Sequence, residues 1–114
     1  MFEIRKATLD DLSTIRSLAD IVFPHTYREI LSPEQLDYMM DWMYSDESLR
    51  RQMIAEGHLY YIAYKEGEPV GYVSIQPEGE HTFHLQKIYV LPSCQGCHIG
   101  KRLFEKAIQV IKGI

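Results

Sequence analysis

Apolar residues recur with helical spacing in the first half of the chain and with strand-like spacing in the second half. A short strand is predicted at residues 3–7. Three helices follow. The first has an apolar stripe from Leu12 and is expected to end at Pro24, the second begins at the cap Ser32, and the third begins at about Asp46.

The spacing changes after Gly57, where three strands separated by glycine-containing turns are predicted at 58–65, 69–76 and 81–91. A last helix is predicted from Ile99. Its inward face is expected to carry the apolar residues Leu103, Phe104, Ala107, Ile108 and Ile111. The order β-α-α-α-β-β-β-α predicts an α+β fold with a mainly antiparallel sheet and helices.

Composition and charge narrow the class of protein. The 114 residues are 46% apolar and 25% charged, which fits one globular domain over residues 1–114. A net charge of −4 gives no basic surface for nucleic acid. No stretch reaches the roughly 18 apolar residues of a membrane span, and the first residues do not read as a secretory signal. We therefore expect a cytoplasmic protein with no nucleic-acid or membrane partner.

Residues 88–104 combine a predicted strand, a loop and the start of a helix. The first amides of such a helix have no acceptors within it, and the helix dipole adds positive potential there. Gly96 and Gly100 allow the backbone to approach a ligand closely. These features predict an anion site suited to a pyrophosphate, to which Lys101 and Arg102 would add charge.

The same segment contains Cys94-Gln95-Gly96-Cys97-His98, the C-x-x-C-H spacing that attaches a c-type haem. Haem attachment takes place in exported compartments, and no export signal is recognised. Zinc is disfavoured because no second pair of ligands has suitable spacing. We expect neither haem nor a metal, and a c-type haem protein stays as a remote alternative.

The loop Gln95-Gly96-Cys97-His98-Ile99-Gly100-Lys101, preceded by Ile88-Tyr89-Val90 and Pro92, resembles the acetyl-CoA motif of the GCN5-related N-acetyltransferase (GNAT) family. That family's loop reads Gln/Arg-x-x-Gly-x-Gly/Ala. Gln95 and Gly100 match this pattern, whereas His98 stands where the first glycine is usual. The order of elements resembles the same family over the whole chain. The resemblance implies the GNAT-like acyl-CoA N-acyltransferase fold.

The resemblance also implies an enzyme that moves the acetyl group of acetyl-CoA to a primary amine by direct attack. In the family, the strand before the loop binds the pantetheine arm and the loop amides bind the pyrophosphate. The implied cofactor-binding residues are Ile88, Tyr89, Val90, Gln95, Gly96, Cys97, His98, Ile99, Gly100 and Lys101. The alternative is a non-catalytic CoA-binding or interaction module.

Catalysis needs a base, because the attacking amine must lose a proton. His84 on the last predicted strand is the candidate, with Gln86 expected on the same face; the alternative is a half-exposed strand residue. His25 and Tyr27, in the loop expected after the first helix, and Trp42 are candidates for lining the acceptor pocket. The alternative for these three is ordinary helix packing.

The family domain continues with a further strand, a helix and closing strands, so the resemblance implies that this chain is truncated after its last helix. The strand predicted at 81–91 would then have an unpaired edge. We expect a homodimer formed through that edge. His58 and His81, at strand ends, are expected to be solvated.

Overall fold

A computed structural model describes residues 2–78, 82–94 and 98–113, and describes Gln86 by its backbone alone. It contains one four-stranded antiparallel sheet whose strands pair in chain order. The strands are β1 (Phe2–Lys6), β2 (Leu59–Lys65), β3 (Glu68–Pro77) and β4 (Phe83–Val90). The helices are α1 (Leu12–Tyr27), α2 (Pro33–Tyr44), α3 (Asp46–Ile54) and α4 (Ile99–Lys112). The predicted α+β order is confirmed.

Local capping fixes the helix starts. Thr8 and Asp11 form a capping box that opens a 3-10 turn before α1, with the Thr8 amide donating to Asp11 Oδ2 at 2.8 Å. Ser32 and Gln35 do the same for α2: Ser32 Oγ accepts from the Gln35 amide at 3.2 Å. Both boxes satisfy amides that would otherwise have no partner, and the cap at Ser32 confirms the predicted start of the second helix.

The prediction that Pro24 ends the first helix is wrong. Pro24 lies inside α1, which continues to Tyr27. The last turn is held by packing, since the rings of Phe23 and Tyr27 lie 4.6 Å apart and the Tyr27 hydroxyl is 3.1 Å from that of Tyr89 on β4. These contacts offset the helix hydrogen bond that proline cannot donate. His25 and Tyr27 therefore belong to a helix and not to a loop.

Each face of the sheet carries its own core. On one face, α1, α2 and α3 cover a cluster rich in tyrosine that includes Tyr44, Tyr60 and Tyr72. On the other face, α4 packs through Leu103 and Ala107, both fully buried. Neighbouring residues of each strand point to opposite faces, so one strand serves both clusters.

Two expectations about burial fail. Phe104 was expected to face inward, but it is 47% exposed because the buried stripe of α4 runs through Leu103 and Ala107. His58 was expected to be solvated, but it is only 7% exposed because the turn after α3 folds it under that helix, with the His58 amide donating to the Gln52 carbonyl at 2.8 Å. His81 lies outside the described residues.

A bulge in β4 changes which side chains share a face. Lys87 lies opposite Ser74, but Leu85 lies opposite Ile75, so Gln86 is the extra residue. As a result, His84 lies on the same face as Lys87 and Tyr89, the face covered by α1, α2 and α3, although it lies three positions before Lys87. Among the described residues, no helix is long and apolar enough to cross a membrane.

Candidate functional site

A groove of about 510 Å³ lies where β4 ends and α4 begins, with α1 forming its far wall. Val22 and Thr26 line it from α1, and Cys94 lines it from the turn after β4. The predicted cofactor-binding residues found there are Ile88, Tyr89, Val90, His98, Ile99, Gly100 and Lys101. Gln95, Gly96 and Cys97, also predicted, lie outside the described residues.

The start of α4 presents free amides to this groove. The Arg102 amide donates to the His98 carbonyl at 3.1 Å, which is the first bond within the helix. The amides of Ile99, Gly100 and Lys101 precede that bond and have no acceptor within α4. Together with the helix dipole they create positive potential at the groove wall. This arrangement suits an anionic group.

Gly100 keeps the groove wall open. Among the described residues outside α4, a Cβ on Gly100 would meet no atom closer than Val90 Cγ2, at 3.7 Å. The fold therefore has room for a side chain at this position, and the space in front of it belongs to the groove.

His98 adopts a left-handed backbone conformation, with φ 61° and ψ 18°, at the residue that precedes α4. This region favours glycine, because a Cβ crowds the following carbonyl there. The His98 side chain is exposed and makes no capping hydrogen bond. The conformation explains why a glycine is usual at this position of the motif.

The two basic residues after the loop have different surroundings. Lys101 is exposed and lines the groove. The guanidinium of Arg102 instead lies over the ring of Phe2, 4.4 Å from its centroid. The expectation that Arg102 adds charge to the loop is therefore wrong, since stacking on β1 draws its side chain to another part of the surface.

β4 is an edge strand among the described residues, so one side of its backbone faces the groove. The Leu91 amide donates to the Val70 carbonyl at 2.8 Å, which turns Leu91 toward β3. Because backbone groups alternate in direction along a strand, those of Ile88 point away from β3. They are available to a ligand that runs along this edge.

Tyr89 forms the inner wall of the groove. Its hydroxyl lies 3.1 Å from that of Tyr27, and burial, followed by this hydrogen bond, raises the pKa of Tyr89. Tyr89 therefore stays protonated at neutral pH and can offer a hydroxyl proton. Tyr27, predicted to line an acceptor pocket, lies beside the groove through this contact. His25 is exposed on the same turn of α1.

His84, the candidate base, is exposed and does not line the groove; its Nδ1 lies 3.6 Å from Glu78 Oε1. The strand pairing sets His84 opposite Gln76 and Lys87 opposite Ser74, so His84 and Lys87 share a face of the sheet. Nothing of the Gln86 side chain belongs to the described residues.

A second, smaller cavity contains residues that sequence reasoning missed. Lys87 is buried there, and its Nζ donates to the Tyr60 hydroxyl at 2.7 Å. Trp42, 62% exposed, lines this cavity instead of the groove, as does the buried His58. The signal in the sequence was a lysine two residues before Tyr89 in the last predicted strand, but its burial depends on the cover provided by α2 and α3.

Within the described residues, no group of three or more His, Cys, Asp or Glu side chains is arranged to hold a metal ion. Of the C-x-x-C-H sequence, Cys94 and His98 are described, and both line the groove. Cys94 lies in the turn after β4, and His98 is the residue that precedes α4.

The sequence and the structure were compared with those of known proteins. The Acetyltransferase (GNAT) family matches residues 16–114. A curated relative, the spermidine N(1)-acetyltransferase of Thermoplasma acidophilum, is 25% identical over 96% of this chain and 70% of its own length.

Solved structures agree with the fold. The PaiA N-acetyltransferase of Thermoplasma acidophilum in complex with coenzyme A superposes with a TM-score of 0.90, at 25% identity over 99% of this chain and 73% of that one. A GNAT family acetyltransferase of Brucella melitensis in complex with acetyl-CoA gives 0.70, at 21% identity over 99% of this chain and 70% of that one. Because the family match spans most of the sequence and includes every groove-lining residue, the chain belongs to the acetyltransferase (GNAT) family.

Proposed function

We propose that this protein is an N-acetyltransferase that moves the acetyl group of acetyl-CoA to a primary amine by direct attack. The observation that carries the proposal is the groove between β4 and α4, where strand-edge backbone and helix-start amides meet. Structurally similar acetyltransferases have been solved with coenzyme A or acetyl-CoA bound, which supports the same cosubstrate here.

Two kinds of backbone contact are proposed for the cofactor. The amides of Ile99, Gly100 and Lys101 bind the pyrophosphate, and Lys101 adds a positive charge at the groove rim. The backbone of Ile88, which points away from β3, binds the pantetheine arm along the open edge of β4. Gln95, Gly96 and Cys97 complete the proposed loop.

The proposed reaction forms an amide bond and breaks a thioester bond. The neutral amine attacks the acetyl carbonyl, CoA leaves as a thiolate, and the amine proton passes to a base. His84 is the proposed base because its imidazole is exposed to solvent and lies on the strand that would carry the cofactor. Gln86 is proposed to assist at the same end of β4.

The acceptor is proposed to approach from the side of α1. Tyr27 and His25 lie in the last turn of that helix, and Tyr27 contacts the groove residue Tyr89. Trp42 is a proposed acceptor residue that lies farther along, on α2. The similarity to a spermidine N(1)-acetyltransferase favours polyamines among the amines to be tested.

Calorimetric titration with acetyl-CoA, followed by assay of CoA release with spermidine, a lysine peptide and a simple alkyl amine, tests the proposal. We expect saturable binding and CoA release with at least one amine. Gly100→Ala should weaken binding while keeping or raising stability, because alanine favours a helix by up to about 1 kcal/mol. Gly113→Ala, at the other end of α4, is the matched control. Binding without CoA release would favour the non-catalytic module, and no binding would defeat both ideas.

Replacing His84 with Gln tests the proposed base. Loss of general base catalysis typically lowers a rate about 10²–10⁴-fold, so kcat should fall while the affinity for acetyl-CoA stays unchanged. An unchanged kcat would contradict a role of His84 in catalysis.

Replacing His98 with Gly tests the account of the loop. Relief of the left-handed backbone is worth roughly 1 kcal/mol, and the added freedom of the unfolded chain offsets roughly 0.4–1 kcal/mol of it. Stability should therefore change little, and acetyl-CoA should bind equally or more tightly. Glu66→Gly is the matched control, since Glu66 also has a positive φ, of 53°, but lies in the β2–β3 turn. A large loss of affinity at His98 alone would mean that its side chain contacts the cofactor.

We also propose a homodimer formed through the open edge of β4. Edge strands with unpaired backbone groups readily accept a second strand. Sedimentation equilibrium at micromolar concentrations should show a dimer, and saturating acetyl-CoA should shift it toward monomer because both would use the backbone of Ile88. A monomer of ordinary stability at every concentration would contradict the proposal.

A further inference from the structure

The second cavity, here called the lysine cavity, has a volume of about 250 Å³ and lies between α2, α3 and the sheet. Its lining includes Trp42, Arg51, Gln52, Glu56, His58 and Lys87. It shares no lining residue with the acetyl-CoA groove. The proposed acetyl transfer uses none of its buried polar groups.

Lys87 places a cation inside this cavity without a matching anion. The side chain is only 8% exposed, and its Nζ donates to the Tyr60 hydroxyl at 2.7 Å and to Gln52 Oε1 at 3.1 Å. The ring of Tyr44 adds a face 4.9 Å away. Among the described residues, no carboxylate lies within 4.0 Å of this ammonium. Buried charges in proteins are normally paired, so Lys87 would stabilise a negatively charged group in the cavity.

The acceptors around Lys87 are held in place. Gln52 Nε2 donates to the Met43 carbonyl at 3.0 Å, which turns Gln52 Oε1 toward the lysine. The Tyr60 hydroxyl donates to the same oxygen at 2.7 Å. Burial lowers the pKa of Lys87 to about 8, so the side chain remains mostly charged at neutral pH. The cation therefore has a fixed position.

His58 supplies a second polar group that lacks a partner. It is 7% exposed; within the described residues its Nδ1 has no hydrogen-bond partner, and its Nε2 lies 3.6 Å from Glu56 Oε1, beyond hydrogen-bond distance. Burial, and then the charge of Lys87, lowers the pKa of His58, which keeps the ring neutral with one nitrogen able to donate. Buried polar atoms almost always have a partner, so His58 is able to bond to a molecule in the cavity.

The charged side chains around the cavity indicate the class of molecule that it can bind. The carboxylate of Glu56 lies 3.7 Å from Arg51 Nε and 3.6 Å from His58 Nε2, and it acts on Lys87 only from beyond 4.0 Å, so the two cations share one carboxylate. One positive charge is left over. A carboxylate group carries a single charge and two oxygens, enough to accept from a lysine and an imidazole. The ring of Trp42 offers an apolar surface to the rest of the molecule.

We propose that the lysine cavity binds a small monocarboxylate, with its carboxylate paired to Lys87 and hydrogen-bonded to His58. The site is separate from the acetyl-CoA groove, so it can be occupied whether or not the proposed acetyl transfer takes place.

Acetate is the probe, and acetamide is its uncharged counterpart. Trp42 is the single tryptophan of the chain and lines the cavity, so its fluorescence reports occupancy. We expect a saturable change with acetate, in the presence of saturating acetyl-CoA, and none with acetamide at the same concentrations. Equal responses to both probes, or tighter binding of inorganic phosphate than of acetate, would overturn the proposal.

The acetate affinity should fall as the pH rises through about 8, because Lys87 then loses its charge. The other titratable and charged groups that face it are Tyr44, Arg51, Glu56, His58 and Tyr60. The tyrosines have raised pKa values and the lowered pKa of His58 keeps it neutral, so none of them changes charge in that range. The range from about pH 6 to about pH 9 includes the pKa of Lys87. An acetate affinity that stays constant over this range would contradict the role of Lys87.

Lys87→Met should weaken acetate binding about tenfold or more, since a hydrogen bond to a charged group is lost. The variant should still fold, because replacing a buried charge with an apolar side chain is often neutral or stabilising. Lys65→Met, at an exposed position of β2, is the matched control and should bind acetate normally. His58→Phe, which keeps Lys87, should weaken acetate binding severalfold. Acetyl-CoA binding should be unchanged in all three variants. Unchanged acetate binding in Lys87→Met or in His58→Phe would overturn the proposal.

Discussion

The close approach at Gly71 fixes the relative positions of β4 and α4, and the candidate site depends on it. A Cβ at Gly71 would lie 2.7 Å from the Tyr89 carbonyl oxygen and 3.3 Å from Leu103 Cδ1. One glycine thus admits both the backbone of the edge strand and the buried side chain of the helix. Because strand and helix close on the same point, the end of β4 and the first amides of α4 must lie side by side.

β4 then has a different function on each of its sides. One edge pairs with β3, and the other edge runs along the groove. One face packs against α4, while the opposite face carries Tyr89 beside the groove and Lys87 in the lysine cavity. Alternation along β4 sets Lys87 and Tyr89 on that face, with Lys87 opposite Ser74. A single strand therefore connects the groove, the tyrosine-rich core and the buried cation.

The features predicted correctly were local ones. The cap at Ser32, the strand that ends at Val90 and the helix that begins at Ile99 depend on neighbours in sequence. Pro24, His58 and Lys87 were misjudged or missed because tertiary contacts decide them. Packing of the last turn overrides the proline, the turn after α3 buries the histidine, and α2 and α3 cover the lysine.

The most direct test compares Gly71→Ala with Gly113→Ala by urea unfolding and acetyl-CoA titration. A Cβ at Gly113 would meet no atom closer than the Gln109 carbonyl oxygen at 3.5 Å, so this control should behave like the parent. Gly71→Ala should lower the free energy of unfolding by about 1–3 kcal/mol, as overpacking does. It should also weaken acetyl-CoA binding, because β4 and α4 move apart. Parent-like stability and affinity in Gly71→Ala would contradict the account.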